Sequence, residues 1–395
     1  MEIDLSAVSD NVRAVKQWIG PHCNVMAVVK ADGYGLGAIQ MAGAAQTGGA
    51  TWLAVACVDE AVQLRNAGFD APVLVMGYIQ PSEAATVVAR KLTPIVHCIE
   101  TALALERAAV ALGLPGDSVA VHIKVDTGLG RFGCLPDEFL PLAESVAGLP
   151  HLRLEGLMTH FAEADSTDLS FAHEQLARFA SLQKQAEEHG LHFDFTHASN
   201  SAATLALPGA HFDLVRTGIL LSGHLPAAHL AGRVLLRSAL TLRSKLARVY
   251  EACTGDSVGY GRTWVAQRPS IVGLVPLGYA DGFRRTLSNK GAVLVRGVLC
   301  PVIGRVSMDQ FSVDLTDVGG ALEGDEVVLI GKQGDQEITA DEVADWAGTI
   351  SYEIFTGIAR RVPRRYVRNG ETVEIAGLLA SETFEDAGMT DEVRG

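Results

Sequence analysis

Hydrophobic spacing divides this chain into two differently patterned parts. At the start, Leu5, Val8, Val12, Val15 and Ile19 fall at a helical period, beginning near Ser6. Continuous apolar runs then occur at 25–29, 52–56, 73–76, 94–96, 119–125, 154–158, 193–195 and 214–221. Most intervals hold a segment of helical period, such as 59–67, 81–90, 100–112 and 170–189. The interval 81–91, before the fourth run, has room for one short helix only. Eight alternations of buried strand and helix predict an α/β fold, a (β/α)8 barrel of the TIM type. A doubly wound sheet would carry a G-x-G-x-x-G turn after its first strand. Gly33, Gly35 and Gly37 have the wrong spacing for that.

The pattern changes near 226–233. Short alternating segments follow at 240–249, 271–275, 292–295, 311–315 and 327–330, separated by turns at Gly255, Gly297, Gly324 and Gly334. Thr339 and Glu342 form a capping box that opens one helix. The division predicted is a barrel over 1–230, a mainly-β domain over 231–380, and an acidic, aperiodic tail over 381–395 expected to be mobile.

Composition narrows the possible partners. With 395 residues, 48% of them hydrophobic, the chain can bury a large core, yet no apolar stretch approaches the ~20 residues of a membrane span. A net charge of −14 without a basic cluster argues against nucleic acid and anionic membrane. The N-terminus lacks a basic, signal-like start, so a cytoplasmic location is expected. Six scattered cysteines without C-x-x-C read as free thiols in a reducing compartment. Neither they nor the histidines show a metal-ligand spacing, so no metal is expected.

Candidate chemistry gathers just after the runs, where a barrel keeps its active site. Lys30 and Tyr34 follow the first, Lys124, Asp126 and Arg131 the fifth, and His160 the sixth. Asn200 and Ser201 follow the seventh, and Arg216, Gly218 and Ile219 lie within the eighth. Singly, these read as a strand-end lysine, a core histidine, a helix cap and a surface guanidinium; their joint placement on one face is what points to a site. A lysine there can form a Schiff base with a carbonyl substrate or with pyridoxal phosphate. Ser201, Gly218 and Ile219 occupy the usual phosphate position of the fold. Arg216 would donate to a pyridine nitrogen and could not take up its proton, unlike a carboxylate. That disfavours decarboxylation and transamination and leaves a proton exchange at Cα. In the second half, Tyr260, Tyr279, Met308, Tyr352 and the pair Arg361 and Arg364 stand in segments unlike framework, although a tyrosine beside glycine is commonly a turn residue.

Taken together, these segments resemble the alanine racemase family, the fold-type III pyridoxal-phosphate enzymes, from Glu2 to about Arg365. The resemblance implies that Lys30 holds pyridoxal 5'-phosphate and that Tyr34, Ser201, Gly218, Ile219 and Tyr352 bind its phosphate. Arg216 would face the pyridine nitrogen, supported by His160. Tyr260 would be the second catalytic base, supplied across a homodimer interface. Arg131 and the Met308 backbone would contact the substrate carboxylate, Lys124 would be a carbamylated lysine that positions Arg131, and Tyr279 would gate the entrance. One departure is Thr217, where the family usually has proline; threonine leaves φ freer and adds an N–H. The implied function is two-base interconversion of L- and D-alanine, supplying D-alanine for peptidoglycan. A serine or broad-specificity racemase is the nearest alternative and a fold-type III decarboxylase a more distant one.

Overall fold

The computed structural model describes residues 1–378 and the backbone of 381–383. Two compact units divide it, one of residues 7–237 and the other of residues 1–6 with the chain from 238 onward. Strand β1 (Glu2–Asp4) belongs to the second unit, and the helix Leu5–Ile19 follows it directly.

The first unit is an eight-stranded parallel sheet: β2 (Asn24–Val28), β3 (Trp52–Val55), β4 (Val73–Val75), β5 (Thr93–Val96), β6 (Val119–Lys124), β7 (Leu152–Met158), β8 (Phe195–His197) and β9 (Leu214–Thr217). Neighbours pair in chain order from β2 to β8, and β9 returns to pair β2, Met26 lying opposite both Trp52 and Arg216. Closure between β8 and β9 uses single bonds instead of a ladder: Asp213 N–H to Thr196 O (3.1 Å) and Arg216 N–H to Ser199 O (2.9 Å). Strands covered on both faces are apolar throughout, which explains the unbroken runs in the sequence. Side chains from alternate positions, Met26, Val28, Trp52, Ala54, Leu74, Ile95, Met158 and Leu214, pack together as one core. Helices such as Val58–Asn66, Ile99–Ala111, Pro136–Ala147 and Ser170–Glu188 stand between the strands. The interval before β5 holds a short 3₁₀ turn, Pro81–Glu83, running into the helix Ala84–Ala89.

The second unit is mainly β, and its strands run in the order β11-β14-β17-β16-β15-β18-β10-β1-β20-β21-β22. They are β10 (Leu240–Lys245), β11 (Arg248–Ala252), β14 (Ser270–Val275), β15 (Ala292–Val295), β16 (Val298–Ile303), β17 (Phe311–Asp314), β18 (Glu326–Gln333), β20 (Arg364–Arg368), β21 (Glu371–Ala376) and β22 (Ser381–Thr383). A hairpin of β12 (Ser257–Val258) and β13 (Trp264–Val265) stands apart, and β19 (Gln336–Ile338) pairs β18. β1 lies antiparallel to β10 and parallel to β20. Thr339 caps the helix Ala340–Ala347, its hydroxyl accepting from the Glu342 N–H (3.1 Å). β22 occupies the first residues of the expected tail, and 384–395 lie outside the described residues.

Candidate active site

β2 stops at Val28, and after Lys30 the chain turns the wrong way for L-residues. Ala31 and Asp32 (φ 53° each), Gly33 (63°), Tyr34 (60°) and Gly35 (80°) are all left-handed. Each non-glycine residue there costs about 1–2 kcal/mol. Hydrogen bonds offset this: Gly33 N–H to Val29 O, Gly35 N–H to Ala31 O and Gly37 N–H to Asp32 O, each 2.8 Å. The Asp32 carboxylate accepts from Ala38 N–H (2.9 Å). Glu60, on the next helix, accepts from Ala31 N–H (2.6 Å) and Ala56 N–H (2.8 Å) with its two oxygens. Lys30 and Tyr34 are therefore the two ends of one hydrogen-bonded turn. Burial, then Arg131, lowers the Lys30 ammonium, against the pull of Glu60. Burial raises Tyr34 to about 12, so its hydroxyl stays a donor at neutral pH.

Arg216, on β9, is only 2% exposed. The two N–H groups of its NH2 are shared among Thr159 O (2.8 Å), Ala198 O (2.8 Å) and His160 Nδ1 (3.1 Å), and its NH1 donates to His197 Nδ1 (2.9 Å). Its Nε is buried with no partner among the described residues. Burial lowers its pKa, yet the group remains cationic at neutral pH. Burial and then Arg216 hold His160 well below its usual value, so that ring is neutral and accepts.

Beside Arg216 on the chain, Gly218 donates its N–H to Ser201 Oγ (3.0 Å). A Cβ on Gly218 would fall 2.2 Å from the Tyr34 hydroxyl oxygen. The Tyr34 hydroxyl, the Ser201 hydroxyl and the Gly218 backbone thus converge, with Ile219 opening the 3₁₀ turn Ile219–Ser222. Ser201 begins the helix Ser201–Ala206, and Asn200 caps it by accepting from Ala203 N–H (2.9 Å).

Lys124 ends β6, buried, with Nζ 5.1 Å from the centre of the Phe132 ring. Burial, then Arg216 and Arg131, lowers it to about 8. Asp126 shapes the following loop by accepting from Gly128 (2.9 Å), Gly130 (3.1 Å) and Arg131 (2.9 Å) N–H groups. Burial alone would raise that carboxyl; these N–H groups outweigh it and hold it below its usual value. Arg131 itself is exposed. Buried Gln175 ties the loops after β6 and β7, bonding Thr127 Oγ1 (3.3 Å), His160 O (3.2 Å) and Ala162 N–H (2.9 Å).

Six residues singled out in the sequence lie in the second unit, among them Arg364, buried and donating to Val362 O and Ile358 O (2.7 Å each). Tyr260, 73% exposed, begins a 3₁₀ turn after Gly259 (φ 75°), whose added Cβ would lie 3.2 Å from Arg305 N. Tyr279 and Met308 share a pair of backbone bonds: Tyr279 N–H to Ser307 O (3.0 Å) and Ala280 N–H to Met308 O (2.9 Å). Arg361 clamps both loops, donating to Asp281 (2.6 and 2.9 Å) and to Asp309 (2.7 Å). Tyr352 sits on the helix Ser351–Thr356, next to Glu353, which pairs with Arg284 (2.8 Å). The barrel unit brings Lys30, Tyr34, Lys124, Arg131, His160, Ser201, Arg216, Gly218 and Ile219 to the ends of its strands. Glu60, Gln175 and the histidines His122 and His197 were not selected from the sequence as site residues. A histidine inside an otherwise apolar strand was the available signal for His122.

A closed parallel barrel with a lysine, an arginine and hydroxyl donors at the C-terminal ends of its strands, followed by a mainly-β unit, defines an α/β-barrel enzyme. Residues 3–226 match the model of the alanine racemase N-terminal domain and residues 239–366 that of the alanine racemase C-terminal domain. The alanine racemase of Symbiobacterium thermophilum is 45% identical over 371 residues, 94% of this chain and 97% of the relative. That of Desulfovibrio desulfuricans is 43% identical over 93% of this chain and 97% of its own length. Among solved structures, alanine racemase from Streptomyces coelicolor A3(2) matches with a TM-score of 0.87 at 41% identity, covering 93% and 97% of the two chains. The one from Bacillus anthracis matches with 0.89 at 37% identity, covering 95% and 96%. The chain belongs to the alanine racemase family and is an amino-acid racemase, an isomerase.

Proposed function

We propose that this enzyme interconverts L- and D-alanine with pyridoxal 5'-phosphate held on Lys30, and that the D-alanine supplies peptidoglycan. The observation that carries the cofactor assignment is the orphaned Nε of Arg216. A buried donor without an acceptor costs about 1–3 kcal/mol, and an unprotonated pyridine nitrogen is a suitable acceptor. The hydroxyls of Tyr34 and Ser201 and the backbone at Gly218 and Ile219 suit a phosphate, with Tyr352 as a further hydroxyl donor. Bound there, pyridoxal phosphate supplies an aldehyde that takes up an amine and a ring that draws electrons from Cα.

The residues then have separate tasks. Burial disfavours the Lys30 ammonium and so favours the neutral amine needed to bond a carbonyl and to accept a proton. It serves one face of Cα, and Tyr260 of the partner subunit serves the other. The exposure of Tyr260 supports its use by a second copy, hence a homodimer. Arg131 binds the substrate carboxylate together with the Met308 N–H, and Tyr279 lines the entrance. Lys124 lies where a cation is disfavoured by burial and then by two arginines, which supports its conversion by carbon dioxide to a carbamate anion that orients Arg131. Arg216 cannot give up a proton to the ring, which keeps the reaction to proton exchange.

Incubation with L-alanine in deuterated water tests the reading. D-alanine carrying α-deuterium is the expected product, and the same assay with serine fixes the side-chain preference. Release of carbon dioxide, or unchanged alanine with serine racemised, would replace it.

A further inference from the structure

Behind Arg216 a line of polar groups crosses four successive strands of an otherwise apolar barrel. Arg216 NH1 lies 2.9 Å from His197 Nδ1. His197 Nε2 lies 2.8 Å from His122 Nδ1, and His122 Nε2 lies 3.3 Å from Glu155 Oε2. Arg153 donates to the other oxygen of Glu155 (2.7 Å) and also bonds Asp194.

The two ends dictate the protons between them. A guanidinium only donates and a carboxylate only accepts. His197 Nδ1 must therefore be bare, so its proton is on Nε2 and goes to His122 Nδ1. His122 then carries its proton on Nε2 and gives it to Glu155. A second proton on His197 would set donor against Arg216, and the opposite direction would do the same. The fold is built around the middle ring: Gly156 lies opposite His122 in the β6–β7 register, and a Cβ there would stand 2.4 Å from His122 Nδ1. Trp52 closes on the same ring at 5.4 Å between centres.

We propose that Glu155, His122 and His197 are positioning residues, a one-way hydrogen-bond chain that fixes Arg216 and leaves its Nε–H as the donor presented to the cofactor ring. This rests on the cofactor assignment above. Arg216 has four bonds on its two terminal nitrogens and none on Nε, so its rotation is set from behind. The chain carries one of those bonds on to a carboxylate, and a charged carboxylate at that end keeps the direction from reversing.

The test uses ¹⁵N-histidine-labelled holoenzyme. His122 and His197 are expected as neutral Nε2–H tautomers at neutral pH, assigned through their single-site variants. In Glu155→Gln the side-chain amide can donate to His122 Nε2 as well as accept; where it donates, the protons of both rings move to Nδ1 and the Arg216–His197 bond is lost, so His122 is expected in both tautomers at the expense of the hold on Arg216. That variant should keep its bound cofactor, lose roughly ten- to hundredfold in kcat with little change in KM, and raise the share of half-transamination to pyruvate several-fold. Gly156→Ala, which displaces the His122 ring, should give the same shift in product ratio; if it fails to fold, Glu155→Gln decides alone. An Nδ1–H or doubly protonated ring at His122 or His197 in the native enzyme overturns the chain. So does an unchanged ratio of racemisation to transamination in Glu155→Gln. If the native protein neither binds pyridoxal phosphate nor racemises alanine, the functional reading fails, whereas the tautomer spectra still decide the direction of the chain.

Discussion

Glu60 holds the backbone of Ala31 from the neighbouring helix, one carboxylate oxygen 2.6 Å from the amide nitrogen that follows Lys30. Its other oxygen is committed to Ala56, so the residue joins the ends of β2 and β3. In Glu60→Gln the amide nitrogen cannot accept, and one of those two N–H groups loses its partner. A destabilisation of about 1–3 kcal/mol is expected in urea unfolding. The left-handed turn should loosen with it, seen as faster amide exchange at 31–35.

Gly218 has no room for a side chain. An alanine there would place Cβ 2.2 Å from the Tyr34 hydroxyl oxygen, and Tyr34 is held in the turn that carries Lys30. Gly218→Ala is expected to weaken pyridoxal-phosphate binding more than tenfold, about 1.4 kcal/mol or more, in a spectrophotometric titration. Adding Tyr34→Phe should not recover the loss, because the ring carbon Cζ would still stand 2.6 Å from that Cβ and the hydroxyl donor would be gone.

Thr217 is fully buried, and its hydroxyl has no partner among the described residues. Valine matches its shape without the hydroxyl. Thr217→Val should therefore stabilise the protein by about 1 kcal/mol, read as a higher urea midpoint at unchanged m-value. A destabilised variant would mean that the hydroxyl has a use in the assembled enzyme.

Lys124 gives stability a pH dependence of known sign. Its folded value is lowered to about 8 from 10.5, so between those values the unfolded chain binds the extra proton. Stability attributable to this group therefore rises with pH from about 8 to about 10.5. Below that window the buried ammonium costs a constant amount, about 3 kcal/mol. In carbon-dioxide-free buffer, Lys124→Met should abolish this slope. Bicarbonate should stabilise the native protein near neutrality and leave Lys124→Met unaffected.

The barrel was legible because its strands are covered on both faces. Val25, Met26, Ala27 and Val28 are all buried, and such runs stand out against amphipathic helices. β8 was displaced in the reading, from 193–195 to Phe195–His197, because its last residue is a histidine whose polar atoms are satisfied inside the core. β1 was missed: Glu, Ile and Asp make too short a run to show a period, and their pairing is supplied by distant strands. The run at 240–249 is two strands, β10 and β11, since the chain turns at Leu246 and Ala247, two apolar residues that carry no turn signal. Lys30 and Arg216 were visible as ionisable residues interrupting apolar runs. Glu60 was not, because an acidic residue in the first turn of a helix is ordinary there.

β1 lies between two strands that are synthesised much later. Glu2 and Arg365 are 363 residues apart. At ~5–20 residues per second, the first strand of the chain waits roughly 20–70 s for its second neighbour. The barrel, contiguous from 7 to 237, can close in that interval, whereas the β unit is a sheet with a gap until the last fifth of the chain emerges. Until β20 emerges, β1 has at most one neighbour, β10, and a delay in translating the stretch between those two strands prolongs that half-paired state.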